Sequence, residues 1–171
     1  QRPDALLLAT IEEAKRRGLA LGDVVDEQEE ERGCTAVHLA VEQGNRAALE
    51  ILLRHRAHPD LLRKDGYSPL HIAVEKQAHD MIALLLHHGA YVDRQHTLGW
   101  TSLHFAAKTG AEESVTALLT VGANPNAVAK DGSTPLHVAC MIGQAGVVRV
   151  LLANQARCDV LNAKQRTPQE V

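Results

Sequence analysis

Gly132-Ser-Thr-Pro-Leu-His-Val-Ala139 places a glycine first, then a good helix N-cap in Thr134, then Pro135 at the first helical position, where a missing N–H costs nothing. The same order returns as Gly66-Tyr-Ser-Pro-Leu-His-Ile-Ala73. With Ala36 or Ser102 in place of the proline it returns again as Gly33-Cys-Thr-Ala-Val-His-Leu-Ala40 and Gly99-Trp-Thr-Ser-Leu-His-Phe-Ala106. Each glycine stands 33 residues from the next, and a fifth copy opens at Gln165-Arg-Thr-Pro-Gln-Glu-Val171. Self-similarity in strict register is the mark of a repeat protein. Thr35, Ser68, Thr101, Thr134 and Thr167 each predict a helix start.

Each first helix is expected to stop near Gly44, Gln77, Gly110 or Gly143, too short to persist alone in water. A second helix follows, with an apolar i, i+3, i+4 stripe at Leu49, Leu52 and Leu53, at Ile82, Leu85 and Leu86, at Val115, Leu118 and Leu119, and at Val148, Leu151 and Leu152. Gly89 and Gly122 supply the left-handed residue that ends this helix, whereas Arg56 and Gln155 hold the same place at a cost of about 1 kcal/mol each. Ala57, Ala90, Ala123 and Ala156 then open the connection to the next copy. No single helix pair buries both its faces, so the pairs must stack in one dimension.

The recurring motif resembles the T-P-L-H-x-A signature of the ankyrin-repeat family across residues 32–171. The resemblance implies an all-α solenoid of stacked helix-turn-helix units with hairpin-like loops. The repeats run 32–64, 65–97, 98–130 and 131–163, with a partial one at 164–171. Residues 1–21 are expected to form a capping helix through Leu7, Leu8 and Ile11, and residues 22–31 an acidic linker. The sequence opens without methionine and breaks off inside a motif, so an excerpt of a longer chain is expected.

Composition agrees. Of 171 residues, 45% are apolar and only four are aromatic, which requires a core of aliphatic and alanine side chains and favours thin, closely packed helices. Glycine and proline total 18 and no apolar run is long enough to span a bilayer, so disorder, collagen and a membrane span are excluded. Cys34, Cys140 and Cys158 are an odd set without CxxC spacing, which fits a reducing compartment, cytoplasmic or nuclear. Net charge is −3, and residues 32–171 carry 14 basic and 12 acidic residues, too weak a footprint for nucleic acid. Arg54, Arg56, Arg63 and Lys64, the nearest thing to a basic patch, have Asp60 and Asp65 among them.

Ten histidines raise the question of metal chemistry. His38, His71, His104 and His137 recur once per repeat, too far apart to converge on one ion, and the resemblance makes them structural hydrogen-bonding residues. His55, His58, His79, His87, His88 and His96 show no HExxH spacing. GxGxxG, GxxxxGK[ST] and GxSxG are also missing. Cys140, three residues after His137, invites a nucleophile reading, but it holds the small-residue place of Val41, Val74 and Ala107 and is expected to be buried and inert. No catalytic residue, metal or cofactor is assigned.

Function therefore rests on binding. The resemblance implies that partners dock on the concave face and the loop tips, at positions flanking each motif glycine and at the ends of the first helices. Tyr67 and Trp100 occupy one such position in adjacent repeats, and both residue types are enriched at binding hot spots. Leu98, Met141 and Ile142 add an apolar patch, with Asp131 beside it and a rim of Lys64, Lys76, Lys108 and Lys130. The expected partner is a protein or peptide with an apolar anchor and some acidic character, bound by a monomeric module with neither nucleic acid nor membrane involved. Trp100 packing against the next loop is the alternative. The stretch Leu118–Asn126 also resembles the target of an oxygen-dependent asparaginyl hydroxylase, naming Asn126 and then Asp93; closure of the turn by these side chains is the other reading. For this segment the leading expectation is a non-catalytic protein-interaction module; the alternative is the regulatory or substrate-recruiting ankyrin domain of a larger enzyme or channel.

Overall fold

The computed structural model describes residues 26–171, with Glu12 and Arg16 ahead of them. The capping helix expected over 1–21 and the first part of the 22–31 linker lie outside the described residues. Eight helices and no strand occur among the described residues: α1 Ala36–Glu42, α2 Arg46–Arg54, α3 Pro69–Glu75, α4 His79–His87, α5 Ser102–Thr109, α6 Glu112–Thr120, α7 Pro135–Ile142 and α8 Ala145–Ala153. The chain is all-α, as its period demands. It divides into two compact units, Gln1–Ala73 with Ala78–Ala90, and Val74–Gln77 with Tyr91–Val171. In the first, α1 packs on α2 and α2 on α4. In the second, α5 packs on α6 and α7, while α8 packs on α6 and α7.

The start of each first helix is a hydrogen-bonded knot made by the motif. Thr35, Thr101 and Thr134 are extended N-caps whose backbone N–H donates to Nδ1 of the histidine three residues on, at 3.2, 3.1 and 3.1 Å. Ser68 N–H does the same to His71 at 3.1 Å. An Nδ1 that accepts this bond carries no proton, which assigns the N–H to Nε2. That Nε2–H reaches the carbonyl of the next motif: His38 to Tyr67 at 3.2 Å, His104 to Ser133 at 3.1 Å and His137 to Arg166 at 3.1 Å. One ring thus caps its own helix and ties it to the following copy. In the fifth copy Glu170 takes the histidine's place, and its Oε2 accepts from Thr167 N–H at 2.8 Å and Thr167 Oγ1–H at 2.9 Å.

Reversals between helices use a second recurring device. Gly44, Gln77, Gly110 and Gly143 are left-handed, and the next N–H turns back to the first helix, as in Ala111 N–H to Ala106 O at 3.3 Å and Gln144 N–H to Ala139 O at 2.9 Å. After the second helix, Ala57, Ala90, Ala123 and Ala156 bond back to Leu52, Leu85, Leu118 and Leu151, each at 3.0 Å. Arg56 (φ 64°) and Gln155 (φ 66°) do adopt the left-handed backbone expected of them. Gln77 (φ 54°) and Gln165 (φ 57°) carry the same strain, which the sequence reading did not single out.

The core is aliphatic. Val37, Leu70, Leu103 and Leu136 from the first helices are buried, as are Leu52, Leu85, Leu118 and Leu151 from the second, with Phe105 among them. The third stripe position behaves differently along the chain: Leu53 is 5% exposed, but Leu152 is 47% exposed. Leu53 belongs to α2, on which α4 packs, whereas among the described residues no helix follows α8, which carries Leu152.

Two outcomes are expected. Burial away from water drives the pKa of His38 and of His104 down to about 4, below the ordinary value near 6.5. The fold therefore selects the neutral ring, and this stabilisation is complete above about pH 6.5 and lost as pH falls toward 4. Stability should drop by on the order of 2 kcal/mol for each of these two histidines between pH 7 and pH 5, and urea melts of wild type and His104→Gln should converge over that interval. Separately, Arg56→Gly and Gln155→Gly should each raise stability by roughly 0.5–1 kcal/mol, since removal of the left-handed Cβ clash outweighs the added chain entropy. Thermal melts of the single and double variants read this directly.

Candidate partner-binding surface

Each motif glycine sits in a tight hairpin that projects from the helices. His96 N–H bonds Trp100 O at 2.9 Å, Ala129 N–H bonds Ser133 O at 2.9 Å, and Asn162 N–H bonds Arg166 O at 3.0 Å. Neighbouring tips are then joined by main chain: Lys130 N–H to Leu98 O and Ala163 N–H to Asp131 O, both at 2.9 Å. This close approach requires glycine. A Cβ on Gly99 (φ +79°) would lie 2.8 Å from the Lys130 nitrogen, and one on Gly132 (φ +78°) 2.8 Å from the Ala163 nitrogen. In the first unit Lys64 N–H bonds Arg32 O in the same way at 3.0 Å. Residues 26–34, which take in the described part of the acidic linker, form a turn there: Glu29 N–H bonds Cys34 O at 2.9 Å, and Asp26 Oδ1 accepts from His58 N–H at 2.8 Å.

The tips of the first unit are charged and internally paired. Glu42 bonds both Arg32 and Arg63, and Arg63 also pairs with Asp65. The Arg63 guanidinium lies 5.3 Å from the centre of the half-buried Tyr67 ring, whose edge meets His71 at 6.2 Å. Two of the four basic-patch residues are thereby committed, Arg63 here and Arg54 to Glu50 at 2.6 Å. Lys64 Nζ donates to Glu30 O. Little of Tyr67 or of this charge is left unengaged.

The second unit presents a different surface. Leu98 is 61% exposed and Met141 60%, with Ile142, Val128 and Leu161 also open to solvent. Trp100 is half-buried: its indole stacks on His104 at 5.8 Å and 27°, and meets Phe105 edge-on at 5.3 Å. His96 closes the same aromatic group against Phe105 at 5.5 Å. Lys108 spends its charge on Glu75 at 3.2 Å, and Asp131 accepts from Ser133 N–H and Oγ–H at 3.0 Å. Lys76 and Lys130 are exposed and form no ion pair among the described residues.

Asn126 and Asp93 serve the connections below the tips. Asn126 Nδ2–H donates to Gln155 O at 3.1 Å while its Oδ1 accepts from Arg157 N–H at 2.7 Å. Asp93 accepts from Asn124 N–H at 3.1 and 3.2 Å. The turn of Asn126 itself is closed by Asn124 Oδ1 at 2.9 Å. Both side chains therefore bridge to the following copy.

Chemistry finds no foothold at the positions the sequence raised. Both ring nitrogens of His137 are engaged, Nδ1 by Thr134 and Nε2 by the Arg166 carbonyl, so neither is available to Cys140. Cys140 is half-buried, not buried as its small-residue place suggested, and partial desolvation still pushes its thiol pKa up, away from the nucleophilic thiolate. No group of three or more His, Cys, Asp or Glu side chains that could hold a metal ion occurs among the described residues, and none of their helices is long and apolar enough to cross a membrane.

A family model for ankyrin repeats, three copies in length, matches residues 12–96 and 91–162. The chain belongs to the ankyrin-repeat family. A search of curated proteins found no match. Ankyrin repeats are generally protein–protein interaction modules and typically non-catalytic, which directs attention to the tips and helix ends of this ankyrin chain. Sequence reasoning missed Leu161, at the end of the fourth ankyrin copy, and Lys164 and Arg166, in the incomplete fifth. Alignment of Leu161 with Val128, and of Arg166 with Trp100, is the signal that finds them.

The Asn126 bridge has a measurable consequence. Asn126→Ala removes both partners of main-chain groups and should lower stability by about 1–2 kcal/mol in urea unfolding. Asn126→Asp should recover less than half of that loss, because a carboxylate cannot donate to the Gln155 carbonyl.

Proposed function

We propose that this ankyrin-repeat chain is a non-catalytic module that binds a protein partner on the loop tips and first-helix ends of its second unit. The observation that carries this reading is the exposure of apolar side chains there, Leu98, Val128 and Leu161 at tips joined by main-chain hydrogen bonds and Met141 and Ile142 at the end of α7. Single exposed apolar residues need no explanation, but several presented from one rigid frame mark an interaction site. Trp100 contributes the uncovered part of its indole, and Lys130 supplies unpaired positive charge. The partner that fits is a peptide segment with a large apolar side chain and acidic residues. The first unit, with its charges mutually neutralised and Arg63 over Tyr67, is the poorer surface. We read Asn126 and Asp93 as clamps between copies, and three free thiols as suited to the cytoplasm or nucleus.

Panning a phage-displayed library of random 12-residue peptides on the chain tests the surface. Peptides selected on wild type should bind Met141→Ser/Ile142→Ser at least tenfold more weakly, about 1.4 kcal/mol or more, with the melting temperature unchanged. Undiminished binding would move the site elsewhere.

A further inference from the structure

Four side-chain polar atoms among the described residues are buried without a hydrogen-bond partner: Asn45 Nδ2, Arg94 Nε, Ser102 Oγ and Arg166 Nε. Asn45 already caps α2 through its other amide atom, accepting from Ala48 N–H at 3.0 Å. Arg94 engages other groups, and Ser102 is enclosed at the first turn of α5. Arg166 is the exception, a half-exposed arginine in the tip row with an unsatisfied donor.

Its backbone is held at both ends while its side chain is not. Arg166 N–H donates to Asn162 Oδ1 at 3.2 Å, and its carbonyl accepts from Asn162 N–H and from His137 Nε2. His137 lies on α7, the helix that ends at Met141 and Ile142. Arg166 also shares its hairpin with Leu161 and Lys164, and that hairpin is bonded to the tip of Asp131 through Ala163. The charge is thus anchored beside the apolar surface.

Other arginines at comparable places are spent: Arg63 on Glu42 and Asp65, Arg32 on Glu42, Arg157 on Asp159 at 2.9 Å. The nearby carboxylate, Glu170, has its Oε2 committed to the Thr167 amide and hydroxyl, which hold its pKa below the usual carboxylate range, and Arg166 adds to this only as a more distant charge. A guanidinium presents a planar fork of five N–H donors, and a carboxylate satisfies it bidentately. The buried Nε lies out of a ligand's reach, but the remaining N–H groups of this half-exposed side chain make no hydrogen bond among the described residues and leave that end of the fork open to a carboxylate.

We propose that Arg166, flanked by Lys164, is the carboxylate-reading position of the docking surface, binding an Asp or Glu side chain of the partner while Met141 and Ile142 receive its apolar anchor. This rests on the docking surface proposed above and adds the residue that selects for acid.

The experiment pans the same 12-residue peptide library on the full chain and on Arg166→Ala, then measures synthetic copies of the enriched peptides. Wild type is expected to enrich peptides with Asp or Glu at a fixed distance from a large apolar residue, and Arg166→Ala to keep the apolar position but lose the acid. A peptide selected on wild type should bind Arg166→Ala at least tenfold more weakly and Arg166→Lys by an intermediate factor. Its Asp→Asn or Glu→Gln version should bind wild type and Arg166→Ala equally. Thermal melts of both variants separate loss of binding from loss of fold, and Arg166→Lys preserves the test if the alanine variant unfolds. Acid retained on Arg166→Ala, or equal affinity of both proteins for the acidic peptide, overturns the assignment. Enriched peptides that depend on Met141 and Ile142 but carry no acid leave the docking surface standing and remove Arg166 from it. No enrichment on wild type overturns both.

Discussion

A neutral imidazole with its proton on Nε2 is the constraint on which this chain depends. Thr35, Thr101 and Thr134 hold the ring by donating to Nδ1, and the opposite nitrogen bonds a carbonyl 29 residues further on. In His38 and His104, protonation would place an N–H where an N–H already points, so the knot disfavours the charged ring by geometry as well as by burial. Short helices of seven to nine residues cannot nucleate by themselves. What makes them persist is the combination of this cap, the left-handed reversal and the apolar stripe, each repeated at the same spacing.

Much of this was legible in the sequence because it is local and periodic. Thr, Pro and His at fixed offsets dictate a helix start wherever they fall, and Leu52, Leu85, Leu118 and Leu151 had to be buried by any arrangement of stacked pairs. Even the strain at Arg56 and Gln155 followed from alignment with Gly89 and Gly122. What could not be read was which side chains meet across copies. Nothing in the linear order says that Arg63 covers Tyr67, that Lys108 is neutralised by Glu75, or that Trp100 lies on His104 and Phe105. Those depend on rotamers and on distances between tips. The unused donor of Arg166 is invisible for the same reason, since it is defined by partners that fail to arrive.

Charge is distributed by a simple rule in the two units. Around Glu42 both tip arginines, Arg32 and Arg63, have a carboxylate, whereas Lys130 and Arg166 form no ion pair among the described residues. Exposed ion pairs contribute little stability, so pairing there chiefly removes charge from view. Leaving charge unpaired beside Leu98 and Met141 gives one surface both an apolar and an electrostatic character, the pairing that specificity requires.

The tips are held by carbonyls, amide protons and two crowded glycines, not by the side chains they display. Identity at Leu98, Val128, Lys130, Leu161 or Lys164 is therefore decoupled from folding. A lineage carrying this scaffold is free to exchange those residues one at a time, acquiring or discarding acquaintances without rebuilding the frame that presents them.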